Sequence, residues 1–247
     1  RAGNDTLFDE DGAIRAEVWA RLDRLLAQAA AVGLVVDLSF TRETVQSAGP
    51  APRTLDVPTY QRALVELAGS PRYLKGRHPH VLLDVQNEWE RFAEPEQVEA
   101  LLVALRRADP ARVLAASVSG RRYRVTGRTL GNMVAAYHDP RGTDWFAADT
   151  VTAVVAGVRA EVSQPVYLQE PMPFGTACAN QVHDDDPAHH AEARRAAERA
   201  GAAAWTFHTR VTFDLKESLV EKLRRPEHGA LGRALAAVGR AAPDGRR

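Results

Sequence analysis

Between about residue 13 and residue 238 the chain repeats one pattern, an amphipathic helix followed by a short apolar strand and a polar loop. Few folds accommodate that alternation. A strand that returns through a helix comes back parallel to its predecessor, and the helices then cover the sheet. The first helix reads over Ala13 to Ala31, where Val18, Leu22, Leu25, Leu26 and Ala29 recur at helical spacing. Gly33 ends it, and Leu34 to Phe40 is the first strand. A polar, proline-bearing stretch leads to a helix opened by Asp56 and Pro58 and running to about Ala68, then a strand over Val81 to Gln86. Pro95 starts a helix with Val98, Leu101, Leu102 and Leu105 on one face, stopped by Asp109-Pro110. Further strands read at Val113 to Val118, Asn132 to Tyr137, Pro165 to Gln169 and Ala202 to Phe207. Helices read over Ala147 to Val162, from Asp186-Pro187 to Ala200, over Leu215 to Leu223 and over His228 to Val238, with a frayed tail from Ala241.

The 247 residues suit one full-sized α/β barrel or two small domains, and no compositional break marks a linker, so residues 1–247 read as a single domain. No strand is followed by a glycine-rich phosphate loop, which counts against a nucleotide-binding doubly wound sheet. Lys plus Arg number 32 and Asp plus Glu 32, so the basic excess expected of a nucleic-acid or membrane-surface partner is missing. Nearly all the basic residues are Arg, with Lys75, Lys216 and Lys222 the only lysines, which reads as compositional bias. Cys178 is the single cysteine, so no intrachain disulfide forms, and its polar loop offers no activating partner. No run of about 18 apolar residues exists to span a membrane. The segment Arg1 to Asp11 is polar, without the apolar core of a signal peptide, and begins without Met.

In parallel α/β folds the chemistry collects at the C-terminal ends of the strands. Asn87-Glu88, His138, Glu170 and Trp205-Thr206-Phe207-His208 stand at such ends here. Glu88 and Glu170 each close a strongly apolar strand, Val81 to Glu90 and Pro165 to Pro171. Hydrolysis of a glycosidic bond needs two carboxyl groups flanking the anomeric carbon, one to protonate the leaving oxygen and one to attack or to activate water. A strand terminus holds such a group rigidly and partly desolvated, which lets the two carboxyls be tuned apart. The plainer reading of each glutamate is an ion pair or a cap on the next helix.

Asn87-Glu88 after an apolar strand, with Glu170 ending a later Pro-Val-x-Leu-x-Glu strand, resembles the signature of glycoside hydrolase clan A, and of its family 5 (cellulase-like) members above all. The resemblance runs roughly from Ala13 to Val238 and implies an α/β fold of the (β/α)8 TIM-barrel class. It implies Glu88 as acid/base, Glu170 as nucleophile, and Asn87 as the residue that hydrogen-bonds the sugar 2-hydroxyl. Trp205 falls where the clan has an eighth-strand Trp under the attacked sugar, and His138 where family 5 has a sixth-strand His lining the site. No metal or organic cofactor is implied, and the partner is a carbohydrate substrate.

Two departures stand out. Six strands are identifiable, and Phe8 to Arg15 resembles the loop before the family's second helix, as though the chain starts just after the second strand of an N-terminally incomplete barrel. The family's early-strand Arg then has no counterpart. At the sixth strand the family's His-x-Tyr is replaced by Tyr137-His138-Asp139-Pro140-Arg141. A Tyr to hydrogen-bond the nucleophile is therefore unassigned, with Tyr137 and Tyr167 the candidates.

Other residues carry weaker signals. Arg141 reads either as a partner for an acidic sugar or as the mate of a carboxylate. Trp89 and Trp145, beside strand ends, are candidates for outer sugar subsites, whereas Trp19 lies on a helix and reads as structural. The run His183 to His190 is metal-like in composition, but its spacing matches no zinc or EF-hand pattern, so it reads as a solvated loop and helix cap. Ser39 and Ser117 lack a G-x-S-x-G elbow. Two other functions fit the same residues: a barrel that binds carbohydrate without cleaving it, and a barrel lyase, aldolase or isomerase using a carboxylate and His138. A Schiff-base version of the second needs a strand-end Lys, which none of the lysines provides.

Overall fold

The structure is a computed structural model that describes residues 6–44, 53–91, 93–119, 131–175, 182–209, 225 and 229–240. The chain divides into two compact units, one holding the described residues up to Ser117 together with 131–133, the other holding Val118 and Ser119 and the described residues from Val134 on. The helix read at Leu215 to Leu223, the tail from Ala241 and Cys178 lie outside the described residues.

In the first unit β1 (Val36–Ser39), β4 (Val81–Asp84) and β5 (Val113–Ala115) form a parallel sheet in the order β1-β4-β5, with Val36 opposite Val81 and Leu82 opposite Val113. Leu114 also bridges Met133 in parallel. All four residues of β4 are buried, as a strand covered on both faces requires. Between β1 and β4 the structure adds a small antiparallel pair, β2 (Glu43–Thr44) with β3 (Arg53–Thr54), inside the stretch read from sequence as a polar connection. The first strand is shorter than the sequence suggests: Leu34 and Val35 lie outside it and are 58% and 75% exposed.

Three helices accompany that sheet. α1 (Ala16–Ala31) buries Val18, Trp19, Leu22, Leu26 and Ala29, a single stripe at helical spacing. α2 (Val57–Gly69) begins at Asp56, whose carboxylate accepts the Thr59 amide at 2.7 Å. α3 (Pro95–Ala108) opens with a reciprocal capping box between Glu94 and Gln97 and buries the four residues read from its sequence.

Arg112 staples this unit from within, being only 5% exposed. Its guanidinium donates to the carbonyl oxygens of Leu74, Arg77, His78 and Val81 at 2.6–3.0 Å and to Asp109 Oδ2 at 3.1 Å. Arg106 uses the same device on Pro110, Arg112 and Asn132. Only a planar fork of donors satisfies so many loop carbonyls at once. Arg112→Met is expected to cost about 3–5 kcal/mol, because Asp109 and four carbonyls lose a buried donor. Urea unfolding measures this, and Arg112→Lys should recover little of it. A loss under about 1 kcal/mol for either variant is incompatible with the staple.

In the second unit β6 (Ala135–Tyr137), β7 (Val166–Leu168) and β8 (Ala204–Trp205) are parallel in the order β6-β7-β8, and Val118 bridges Tyr137. α4 (Ala148–Glu161), α5 (Pro187–Arg199) and α6 (Gly229–Arg240) accompany them, α5 packing against both of the others through buried Ala191, Ala193, Ala196 and Ala197. α5 starts as its sequence indicates, with Asp186 accepting the Ala188 amide at 2.8 Å and Pro187 as its first residue. Arg159 donates to the carbonyls of Ala200 and Gly201, and Arg194 to that of Val238.

His190 sits inside this unit, 0% exposed, among the rings of Trp145, Phe207 and Phe174 at 4.7, 5.1 and 5.5 Å. Its Nε2 donates to the Asp184 carbonyl at 2.8 Å, while Nδ1 has no hydrogen-bond partner among the described residues. Burial pushes its pKa below the ordinary value, against the opposing pull of that hydrogen bond. A histidine held neutral in the fold contributes stability that is full above its unfolded pKa of about 6.5 and is lost as pH falls below that value. Unfolding free energy should therefore drop between pH 7.5 and 5.5, and drop less in His190→Gln, which keeps a donor for Asp184 but does not titrate. Equal losses in the two proteins would rule His190 out as the cause.

Candidate active site

The first candidate carboxylate stands where β4 gives way to a turn. Asn87 N–H donates to the Phe40 carbonyl at 2.8 Å, and Trp89 N–H to the Ser117 carbonyl at 3.1 Å. Between them Glu88 adopts φ 47°, a left-handed conformation that costs a non-glycine residue about 1–3 kcal/mol and persists where surrounding contacts offset that cost. The turn runs straight into a 3-10 helix, Trp89–Arg91, which returns Arg91 to Glu88: Arg91 Nη1 lies 2.6 Å from Glu88 Oε2. The Glu88 side chain is 16% exposed and that of Arg91 60%, so the ion pair reaches solvent on the arginine side. Trp89 is 2% exposed, which corrects its reading as an outer sugar subsite: it packs in the core.

The second candidate carboxylate ends β7, where Gln169 N–H donates to the Tyr137 carbonyl at 2.9 Å. Three nitrogen-bearing side chains converge on Glu170 Oε2: Arg141 Nη2 at 3.3 Å, His138 Nδ1 at 3.6 Å and His208 Nε2 at 3.8 Å. Arg141 also donates through Nε and Nη2 to the Glu170 backbone carbonyl at 3.3 and 3.1 Å, so one guanidinium holds both main chain and side chain of this residue. His138 is buried and meets Gln169 Oε1 through Nε2 at 2.9 Å. His208 must carry its proton on Nδ1, because that atom faces the Pro171 carbonyl at 2.8 Å and a carbonyl only accepts. Glu170 itself is 32% exposed on its side chain.

Of the two tyrosines considered for the nucleophile, Tyr167 shares a 2.7 Å hydrogen bond with Thr206, and Tyr137 bonds the Asp139 carboxyl. Burial pushes Asp139 above the ordinary carboxylate range despite Arg141 and that Tyr137 bond. Trp205 ends β8 and packs against the buried cluster of Trp145, Met172 and Ala193. It also borders a groove of about 410 Å³ that Arg194, Phe207 and Val238 help to line. Trp145 is 1% exposed and donates Nε1 to Asp184 Oδ2 at 2.9 Å, so its reading as an outer subsite is likewise corrected. Asp184 further accepts from His189 Nδ1 at 2.8 Å, and the His189 ring stacks on Phe146 with centroids 3.7 Å apart. Among the described residues no group of three or more His, Cys, Asp or Glu side chains is placed to hold a metal ion. No described helix is long and apolar enough to cross a membrane.

Within the second unit, then, Glu170, His138 and Arg141 come together, while within the first Asn87 and Glu88 stay neighbours in one turn. In the sequence His208 is marked only by its strand-end position, and nothing there distinguishes Asp84 or Arg112.

No family model matches the sequence, and no curated protein matches it. Solved structures do resemble the fold. An endo-β-mannanase/endo-β-glucanase of Prevotella bryantii gives a TM-score of 0.62 at 11% identity over 97% of this chain and 40% of that one. GH5_18 from Streptomyces cattleya in complex with GlcNAc gives 0.58 at 20% identity, over 97% of this chain and 70% of that one. The GH53 catalytic domain of Ignisphaera aggregans gives 0.56 at 14% identity over 84% and 71%. The chain thus spans less than half the length of the Prevotella structure and about 70% of the Streptomyces one. At these identities the likeness shows the fold, which is the α/β, (β/α)8-barrel fold of glycoside hydrolases, with six parallel strands among the described residues.

Proposed function

We propose that the chain, acting as one domain over residues 1–247, is a retaining glycoside hydrolase of the clan A, family 5 kind. Glu170 attacks the anomeric carbon and Glu88 protonates the departing oxygen, so the glycosidic bond breaks as a glycosyl ester to Glu170 forms. Glu88, now a carboxylate, takes a proton from water, and that water displaces Glu170 from the sugar with net retention. Asn87 hydrogen-bonds the 2-hydroxyl, and His138, Tyr137 and Trp205 complete the contacts to the attacked sugar. No metal or organic cofactor takes part in these steps.

The convergence of Arg141, His138 and His208 on one oxygen of a partly exposed strand-end glutamate carries this reading. Arg141 donates to that oxygen at 3.3 Å and so orients a carboxylate that still faces solvent, which is what an attacking group needs, while the two imidazoles wall it in. The solved structures of similar fold add β-mannan and β-glucan as the first substrates to try.

The test is covalent trapping. Incubation with 2-deoxy-2-fluoro-β-glucosyl and β-mannosyl donors bearing a dinitrophenyl leaving group should load one sugar per chain, and peptide mass spectrometry should place it on Glu170. A sugar on any other residue removes Glu170 from the role. Tight binding of cello- or manno-oligosaccharides with neither trapping nor turnover makes the protein a carbohydrate binder instead.

A further inference from the structure

The strand that leads to Glu88 reads Val-Leu-Leu-Asp-Val, and its one charge, Asp84, is 0% exposed. An apolar residue would fill that position at lower cost, since a buried carboxylate must be fully hydrogen-bonded to be tolerated. Asp84 is well supplied. Its Oδ2 accepts from Ser39 Oγ and Ser117 Oγ, both at 2.6 Å, and its Oδ1 accepts from Ser117 N–H at 2.9 Å. Asp84 therefore grips Ser117 twice, by main chain and by side chain.

Ser117 in turn holds both amides around the strained residue. Its hydroxyl oxygen accepts from Glu88 N–H at 3.2 Å, and its carbonyl accepts from Trp89 N–H at 3.1 Å. A serine hydroxyl has one proton, and the 2.6 Å contact commits it to Asp84, so the oxygen's lone pairs are left pointing at Glu88. The same count makes the 3.4 Å approaches of the two hydroxyls to Asn87 Oδ1 contacts rather than hydrogen bonds. Ser39 shares Asp84 but makes no hydrogen bond to Glu88 among those described.

We infer that Asp84 is a positioning residue for Glu88, acting through Ser117: the buried carboxylate orients the Ser117 hydroxyl as an acceptor, and that acceptor fixes Glu88 in its left-handed turn. The inference rests on the reading of Glu88 as the acid/base group. Without the clamp the Glu88 backbone relaxes toward an ordinary conformation and carries its carboxyl away from the position in which it serves the leaving oxygen.

The experiment compares Ser117→Ala, Asp84→Asn and Ser39→Ala in the full chain. Each Ser variant deletes one hydroxyl donor to Asp84, but only Ser117→Ala removes the acceptor for Glu88. Amide hydrogen exchange of Glu88, followed by NMR, should speed up in Ser117→Ala and Asp84→Asn and change little in Ser39→Ala. On a glycoside that needs protonation of its leaving group, kcat should fall roughly 10- to 100-fold in the first two with KM within about twofold, and less in the third. Should Asp84→Asn fail to fold, the two serine variants still decide. Unaltered Glu88 exchange in Ser117→Ala overturns the clamp, and so do faster exchange with unaltered kcat or equal kcat losses in the two serine variants. A wild-type protein that turns over no glycoside refutes the acid/base reading, while the exchange comparison separately decides whether Asp84 and Ser117 hold the turn.

Discussion

Glu170→Ala is expected to lower kcat/KM on an aryl β-glycoside by about 10⁵-fold or more, the scale on which loss of a covalent nucleophile is felt. The fold should survive the change. The side chain is a third exposed, and the partner it leaves, Arg141, is similarly exposed and keeps its bonds to the residue 170 carbonyl. Azide should restore turnover of a substrate with a good leaving group, because it enters the space vacated by the carboxylate and attacks in a single displacement. The product is then a glycosyl azide of inverted configuration. Activity within tenfold of wild type would leave Glu170 without a role as nucleophile, and a rescued product of retained configuration would place the nucleophile elsewhere.

Glu88→Ala should give a different pattern, because its loss removes a proton donor rather than a covalent partner. Hydrolysis of oligosaccharides, whose leaving oxygen needs protonation, should fall by roughly 10²–10⁴-fold. Dinitrophenyl glycosides leave without help, so the first step should be nearly intact while release of the glycosyl-enzyme slows. A burst of dinitrophenol followed by a slow steady state is the expected trace. Azide should accelerate that steady state and give an azide of retained configuration, since it intercepts the ester to Glu170. Equal losses on substrates with good and poor leaving groups would be inconsistent with an acid/base role for Glu88.

How legible all this was in the sequence depends on the range of the interactions involved. Local signals read well: the stripes of α1 and α3, the caps at Asp56 and Asp186 and the proline at the start of α5 depend on residues within a turn or two. The parallel strands are legible but read too long, because apolar character outlasts the paired segments. Val85, for instance, is 0% exposed although β4 ends at Asp84. The β2–β3 pair leaves no trace in the sequence, because two-residue strands carry no alternation. In the candidate site, Glu88, Asn87, Glu170 and His138 were visible as polar residues ending apolar runs. The grip of Arg141 on Glu170 spans 29 positions, and sequence alone left it as one of two readings. The direction in which Trp89 and Trp145 face was not readable, because an aromatic beside a strand end looks the same whether it turns inward or outward. The Asp84–Ser117 clamp, 33 positions apart, was equally invisible.

The arginine forks have a bearing on the medium this protein tolerates. Where Arg106, Arg112 and Arg194 bind backbone carbonyls at 2.6–3.2 Å, a full charge is set against fixed dipoles, in addition to the carboxylates that Arg112 and Arg194 also meet. Dissolved ions weaken attraction between two exposed charges over a Debye length of about 8–10 Å, but they intrude little on a donor already in contact with its acceptor. These particular fastenings therefore lose little of their strength in brine, unlike the exposed pair of Arg91 with Glu88.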